Sequence, residues 1–243
     1  TPVGNVDLFA NVGQGFRSPS QAELSPSGAL GPLGAAGGAG NPNVAPPKLR
    51  SVDIGFNAFV TPRWQIGAAY YHTKNSGEIA QVAPGIFDNV GNTTRDGWEA
   101  SSTFHATDSL RVYGSYGRLI RSRIDSAAPG AADRLSLPEH MVKAGVGWTT
   151  PFTGGRLLLN GDFSWVSPTP YFSGTPARIG YARPYSRYDL RATYETGPWQ
   201  WTAFATFQPI RYGSEVVVAA AGGGASIDPR PRSEVGITGR YFF

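Results

Sequence analysis

Apolar and polar residues alternate one for one along most of this chain, the pattern of strands whose successive side chains point to opposite faces. The clearest stretch is the last, residues 232–243. Val235, Ile237, Gly239, Tyr241 and Phe243 fall on one face there, and Glu234, Gly236, Thr238 and Arg240 on the other. Earlier stretches repeat it at residues 3–16, 48–60, 64–73, 97–104, 110–116, 138–149, 156–167, 187–195 and 199–207. In the second of these Val52, Ile54, Phe56 and Ala58 oppose Ser51, Asp53, Gly55 and Asn57. In the stretch around Trp98, the positions Trp98, Ala100, Ser102 and Phe104 oppose Gly97, Glu99, Ser101 and Thr103. The predicted structure is therefore all-β, with about ten strands of roughly ten residues each, the length a tilted spanning strand requires.

The connections between these strands alternate in length. Every second one is a turn of about three to five residues, among them Thr61-Pro62-Arg63 and Pro151 to Gly155, and Gly197-Pro198 marks another. The others, at residues 17–47, 74–88, 120–137, 168–184 and 208–231, run from roughly fifteen to thirty residues and read as long loops; the first is rich in Gly, Pro, Ala and Ser and carries no periodicity. Soluble sandwiches usually have short connections at both ends. Short turns on one side and long loops on the other, with one apolar and one polar face per strand, predict an antiparallel transmembrane β-barrel. Trp64, Trp148 and Trp199 all sit beside short turns, which would place them at one membrane interface.

Composition sharpens this picture in a few places. There is no cysteine, which removes thiolate metal sites, thiol catalysis and disulfides. The net charge of +4 comes from scattered cations, so no nucleic-acid footprint is present. No apolar run is long enough for a spanning helix, and a barrel escapes that test because its inward residues dilute every strand. No charged start or apolar leader opens the chain at Thr1-Pro2-Val3. Export needs a leader, so the expectation is either a cleaved one or a chain that forms the back portion of something longer.

The histidines invite a catalytic or metal reading. By parity His72 shares a face with Ile66 and Tyr70, and His140 with Val142 and Val146, which points both toward lipid or the interface. His105 faces inward at the turn end. No spacing of metal ligands, paired carboxylates or a Ser-His-Asp set accompanies them, so neither an enzyme, a metal site nor a cofactor is expected. Gly13-Gln14-Gly15 is followed by no helix and is no phosphate cradle.

Four segments carry a resemblance to a known family. They are Leu8-Phe-Ala-Asn-Val-Gly-Gln-Gly-Phe-Arg-Ser-Pro-Ser20, Pro47-Lys-Leu-Arg-Ser-Val-Asp-Ile-Gly-Phe56, Asn89-Val-Gly-Asn-Thr-Thr-Arg-Asp-Gly-Trp-Glu99 and Gly239-Arg-Tyr-Phe-Phe243. In this order and spacing they resemble the C-terminal part of TonB-dependent outer-membrane receptors, the siderophore-receptor branch especially. The resemblance implies a barrel of roughly 22 strands around an N-terminal plug, of which residues 1–243 would supply about ten as the C-terminal half. One departure stands out: the family usually has Pro-Glu where this chain has Pro46-Pro47-Lys48, which puts the loop-to-strand hydrogen bonding there in question.

The resemblance further implies a receptor in the bacterial outer membrane that takes up a scarce chelate such as a ferric siderophore. The TonB energy-coupling complex would act through the absent plug region. Outer-membrane lipids, lipopolysaccharide and the barrel assembly machinery are the other expected partners, the last reading Val235, Ile237, Tyr241 and Phe243 at the closing strand. Candidate ligand contacts are the loop-borne Arg17, Arg121, Arg123, Arg178 and Arg183 with Tyr171 and Tyr181, because guanidinium forks suit oxyanions and aromatic rings suit planar chelating groups. For any one of these residues, a solvated loop position or a contact to lipopolysaccharide phosphates is the commoner role. Arg187, Asp189, Arg191 and Glu195 read as ladder pairs or plug contacts. Two other classes fit the pattern: a self-contained ten-stranded barrel acting as adhesin, passive pore or enzyme, and a soluble β-rich binding module.

Overall fold

The structure, a computed structural model, describes residues 5–24, 41–83, 86–89, 91–124, 137–173, 178–209, 217–219, 225–227 and 233–243. In chain order the elements begin with β1 (Val6–Phe16), the single-turn helix α1 (Gln21–Leu24), β2 (Lys48–Thr61), β3 (Trp64–Ser76), β4 (Ile79–Ala83) and β5 (Ile86–Asn89). They continue with β6 (Thr93–His105), β7 (Leu110–Ile124), β8 (His140–Phe152), β9 (Gly155–Val166), β10 (Thr169–Ser173) and β11 (Arg178–Ala182). Last come β12 (Tyr185–Thr196), β13 (Trp199–Phe207), β14 (Val217–Ala219), β15 (Ala225–Ile227) and β16 (Ser233–Tyr241). Ten of these form one antiparallel sheet in the order β1-β2-β3-β6-β7-β8-β9-β12-β13-β16, each strand lying beside the next spanning strand in the chain. β1 and β16 are its two edges.

All ten spanning strands predicted from the alternation are present. The short turns fall where expected but three are tighter than expected, with two residues between strands, and one of these, Thr153-Gly154, has φ of 37° and 70°, the positive values a hairpin turn of type I′ uses. Two expectations need correction. The region read as loop at residues 74–88 holds the end of β3 and the β4–β5 hairpin, and the loops at 168–184 and 208–231 hold the β10–β11 and β14–β15 hairpins. Their strands have only three to five residues, too few for a period of two to rise above the Gly and Pro around them. The second correction is to β7, which runs on to Ile124, so Arg121 and Arg123 lie on a strand and not in a loop.

Register carries the two faces across the whole sheet. One apolar row runs Leu8, Phe56, Ala68, Ala100, Tyr116, Val142, Trp165 from β1 to β9, and the rows below it continue through Leu190, Ala205 and Val235 to the far edge. These side chains are not buried in a protein centre: Leu8 is 81% exposed, Leu190 62% and Ile237 78%. Among the described residues the buried apolar side chains are few, and Val44, Ile79, Ala182 and Tyr185 lie in or beside the long connections. A single sheet with a bare apolar face and no second layer needs a nonaqueous solvent on that side, which is what a bilayer supplies.

The opposite face is organised by glycine. Phe9, Tyr71, Tyr113 and Phe204 each lie across a glycine directly opposite on the next strand: Gly55, Gly97, Gly145 and Gly236. A Cβ on any of these glycines would overlap the ring. Absent side chains let the aromatic rings lie flat along the sheet and fix its register.

Candidate functional site

The long connections all leave the sheet at one end, and the first of them is tied down by a small polar knot. Ser20 precedes α1, and Glu23 reaches back to the Ser20 N–H at 2.6 Å, half of a capping box. Arg17, just past β1, donates to both Glu23 oxygens at 2.7 and 2.9 Å. The Arg17 hydrogen bonds, aided by the Ser20 N–H and hydroxyl, hold the Glu23 carboxyl at about 2 although burial opposes this. The Arg17 N–H donates to the Pro47 carbonyl at 3.2 Å, so the loop-to-strand bond is made despite the altered Pro46-Pro47-Lys48 sequence. Asn89 closes the region: its amide donates to the carbonyls of Ala45 and Gly77 and its oxygen accepts from the Ala45 N–H.

The polar face below is a ladder of paired charges. Glu78 accepts from Arg95 at 2.7 Å and from Thr93. Arg187 and Thr206 donate to Asp189 at 2.8 and 2.6 Å, and Arg156 and Gln200 to Glu195 at 2.7 and 3.0 Å. Tyr113 spans Gly145 to donate to Asp162 two strands away. A cleft of about 470 Å³ opens on this face between Phe9, Asn11, Asp53, Ala69, Tyr71, Thr73 and Glu99. Two carboxylates, an amide and hydroxyls make it a hydrated, hydrogen-bonding wall. None of these groups forms a nucleophile–base pair.

The seven candidate ligand residues separate into three places. Tyr181 and Arg183 are exposed at the long-connection end, and the β10–β11 register sets Tyr171 opposite Gly180 and Arg178 opposite Ser173. Arg17 is occupied by Glu23. Arg121 and Arg123 stand on the apolar face, because Ile120 is an extra residue that bulges between the pairs Gly97–Leu119 and Asp96–Arg121 and reverses the parity of the strand beyond it.

That bulge builds a network sequence reasoning missed. Asp96, 1% exposed, is held by His72 and by the Arg121 guanidinium. Beside it Tyr116 hydrogen-bonds His140 at 2.6 Å and packs edge-on against Trp98 at 5.0 Å. His72 and His140 are thus on the apolar face as parity predicts. His105 pairs with Arg111 on the polar face, next to a short turn. A polar residue at an apolar-face position, Asp96 in line with Trp98 and Ala100, was the available signal.

The closing strand places Val235, Ile237 and Tyr241 on the apolar face, with Trp199 edge-on to Tyr241 at 4.8 Å and Phe243 against Tyr241 at 5.1 Å.

Comparison with known proteins agrees with this geometry. The family described as TonB dependent receptor-like, beta-barrel, matches residues 1–208. No curated protein matches by sequence. Among solved structures, the ferric enterobactin receptor PfeA of Pseudomonas aeruginosa, in a mutant form, is 14% identical with a TM-score of 0.66, the match covering 98% of this chain and 38% of that one. The ferric preacinetobactin receptor BauA of Acinetobacter baumannii is 15% identical (TM-score 0.62; 98% and 34% covered), and the copper transporter OprC is 18% identical (TM-score 0.64; 96% and 36% covered). At such identities the likeness is one of fold. The chain spans about a third of the length of each.

Proposed function

This chain belongs to the TonB-dependent receptor family through its outer-membrane β-barrel, and we propose that it forms part of the wall of an active importer for a metal chelate of the ferric siderophore class. The observation that carries this reading is the two-faced alternation through ten strands of one antiparallel sheet, with every long connection at one end. Such a wall needs its edges paired in lipid, so further strands would complete the barrel around a plug. The plug would gate the lumen, and the TonB complex would supply the energy. The wall does no covalent chemistry on its cargo.

A chelate is favoured over a bare soft metal ion. The chain has no cysteine, one methionine and three histidines, few of the donors that soft metals select. Two of those histidines face the membrane side. The exposed rim residues Tyr181 and Arg183 offer an aromatic and a cationic contact for an anionic chelate, and Tyr171 and Arg178 belong to the adjoining hairpin. Val235, Ile237, Tyr241 and Phe243 would serve as the barrel-assembly signal.

The test is growth of a gene-deletion strain under iron limitation with a panel of ferric siderophores. The expected result is loss of growth on one chelate class, restored by the wild-type gene. Undiminished growth and uptake on every chelate would remove this reading.

A further inference from the structure

The two rims of the apolar face differ. Beside the short turns it ends in Trp64, Phe104, Leu110, Trp148, Tyr194, Trp199 and Tyr241, with no basic residue among them. Beside the long connections, among the described residues of the spanning strands, it ends in Arg or Lys only on β2, β3 and β7. Register aligns Arg50 with Lys74, Lys74 with Thr94, and Thr94 with Arg123. One row closer to the centre stands Arg121, and the next holds Arg118 opposite Trp98. All five cations are exposed. On β12, β13 and β16 the matching rim carries Ser186, Tyr188, Phe207 and Ser233, with no charge. The cluster is therefore local and not a general feature of the rim.

We infer that Arg50, Lys74, Arg118, Arg121 and Arg123 form an outward-facing site for the phosphate groups of lipopolysaccharide in the outer leaflet. Three features support it. Trp98, level with Arg118, and Tyr116, one row closer to the centre, mark the aromatic interface at the lower edge of the cluster, which sets the other cations at headgroup depth. Asp96 is buried under the cluster and holds Arg121 and His72 in place, so part of the site is pre-built. Arg50 and Lys74 make no ion pair with any described residue, and Arg118 lies 3.8 Å from Glu139, too far for a tight pair. Arg50 and Lys74 are directly opposed on adjacent strands, whose spacing of about 5 Å lets the two share one phosphate, and Thr94 separates them from Arg123. Pairing by lipid phosphate also explains why charge is tolerated on a face that is otherwise apolar.

The site is independent of what the receptor imports. The test uses the protein in its full natural length, in detergent and in nanodiscs, with lipid A bearing two phosphates, the same lipid A after phosphatase treatment, and inorganic phosphate as probes. Native mass spectrometry and binding titrations read the retained lipid. The variant Arg50→Gln/Lys74→Gln/Arg123→Gln should bind phosphorylated lipid A at least about tenfold more weakly. A control with equal charge loss on the polar face, Arg111→Gln/Lys143→Gln/Arg191→Gln, should bind it as the wild type does. If the triple variant does not fold, Arg50→Gln and Lys74→Gln alone should each weaken binding by about threefold to fivefold. Equal retention by the outward variants, equal binding of dephosphorylated lipid A, or displacement by inorganic phosphate would each overturn the assignment.

Discussion

The two faces of one sheet are stabilised by different physics. On the apolar face, away from the Asp96–His72–Arg121 and Tyr116–His140 groups at its rim, side chains are specified by class: Leu, Val, Ile, Ala and aromatic residues recur, because lipid accepts any of them. On the polar face, partners are specified one by one. Tyr113 lies over Gly145 and reaches Asp162, Arg187 and Thr206 share Asp189, and Arg156 and Gln200 share Glu195. The lesson is that sensitivity to substitution should depend on charge outside and on identity inside. It also shows where a membrane barrel keeps its register: in the aromatic–glycine couples facing the lumen.

Adjacent residues on one strand give the strongest contrast. Ala100 faces the apolar side midway along β6, and Ser101 faces the polar side. Ala100→Arg should destabilise the refolded receptor in lipid vesicles by about 2 to 4 kcal/mol, while Ser101→Arg stays below about 1 kcal/mol. Reversible denaturant titration of both variants measures the difference. Comparable losses at the two positions would mean that the faces are not lipid and lumen.

Identity on the inner face is tested at Gly145. A Val there would occupy the space of the Tyr113 ring and deny Asp162 its donor. Gly145→Val should cost about 1 to 3 kcal/mol by the same titration. Pairing it with Tyr113→Ala should recover part of that loss, because the overlap disappears. At Gly161, on the apolar face, a Cβ would meet only side-chain carbons of Leu190 and Val146 at 3.4 and 3.6 Å, so Gly161→Ala should be close to neutral. A glycine on the inner face that accepted Val as easily would show that the couples do not fix register.

Most of the spanning architecture was legible in the sequence because period-two alternation is long-lived along each strand. The Trp98, Ala100, Ser102, Phe104 series announced its face without any tertiary information. The candidate site was read less well, and the reason is local. One extra residue, Ile120, reverses every side chain beyond it, so Arg121 and Arg123 reach the apolar face, and no composition rule flags a single-residue bulge. The Arg17–Glu23 pair shows a second limit. Ser20-Gln21-Ala22-Glu23 has the spacing of a helix cap, but nothing in the sequence says that its carboxylate will claim the nearby guanidinium.

That pair also provides the smallest test, at a place beyond the strand ends where only specific partnering operates. Glu23 is largely buried and its carboxyl is held at about 2, whereas Arg17 is half exposed. A folded-state value below the ordinary carboxylate value means the protonated form is disfavoured by the fold. The pair's stabilisation is therefore complete above about pH 4.5 and is lost as pH falls through about 2. Screening at the exposed guanidinium limits it to about 1 kcal/mol. Hydrogen exchange at the Glu23, Leu24 and Asn41 amides, which bond Ser20 and Glu23 carbonyls, should accelerate beyond its intrinsic pH dependence across that interval. Glu23→Gln should show the faster exchange at neutral pH and lose the acid step, while amides in the centre of β8 and β9 stay unchanged. An acid step that persists in Glu23→Gln would assign it to another carboxylate and leave the knot without a role in ordering the first long connection.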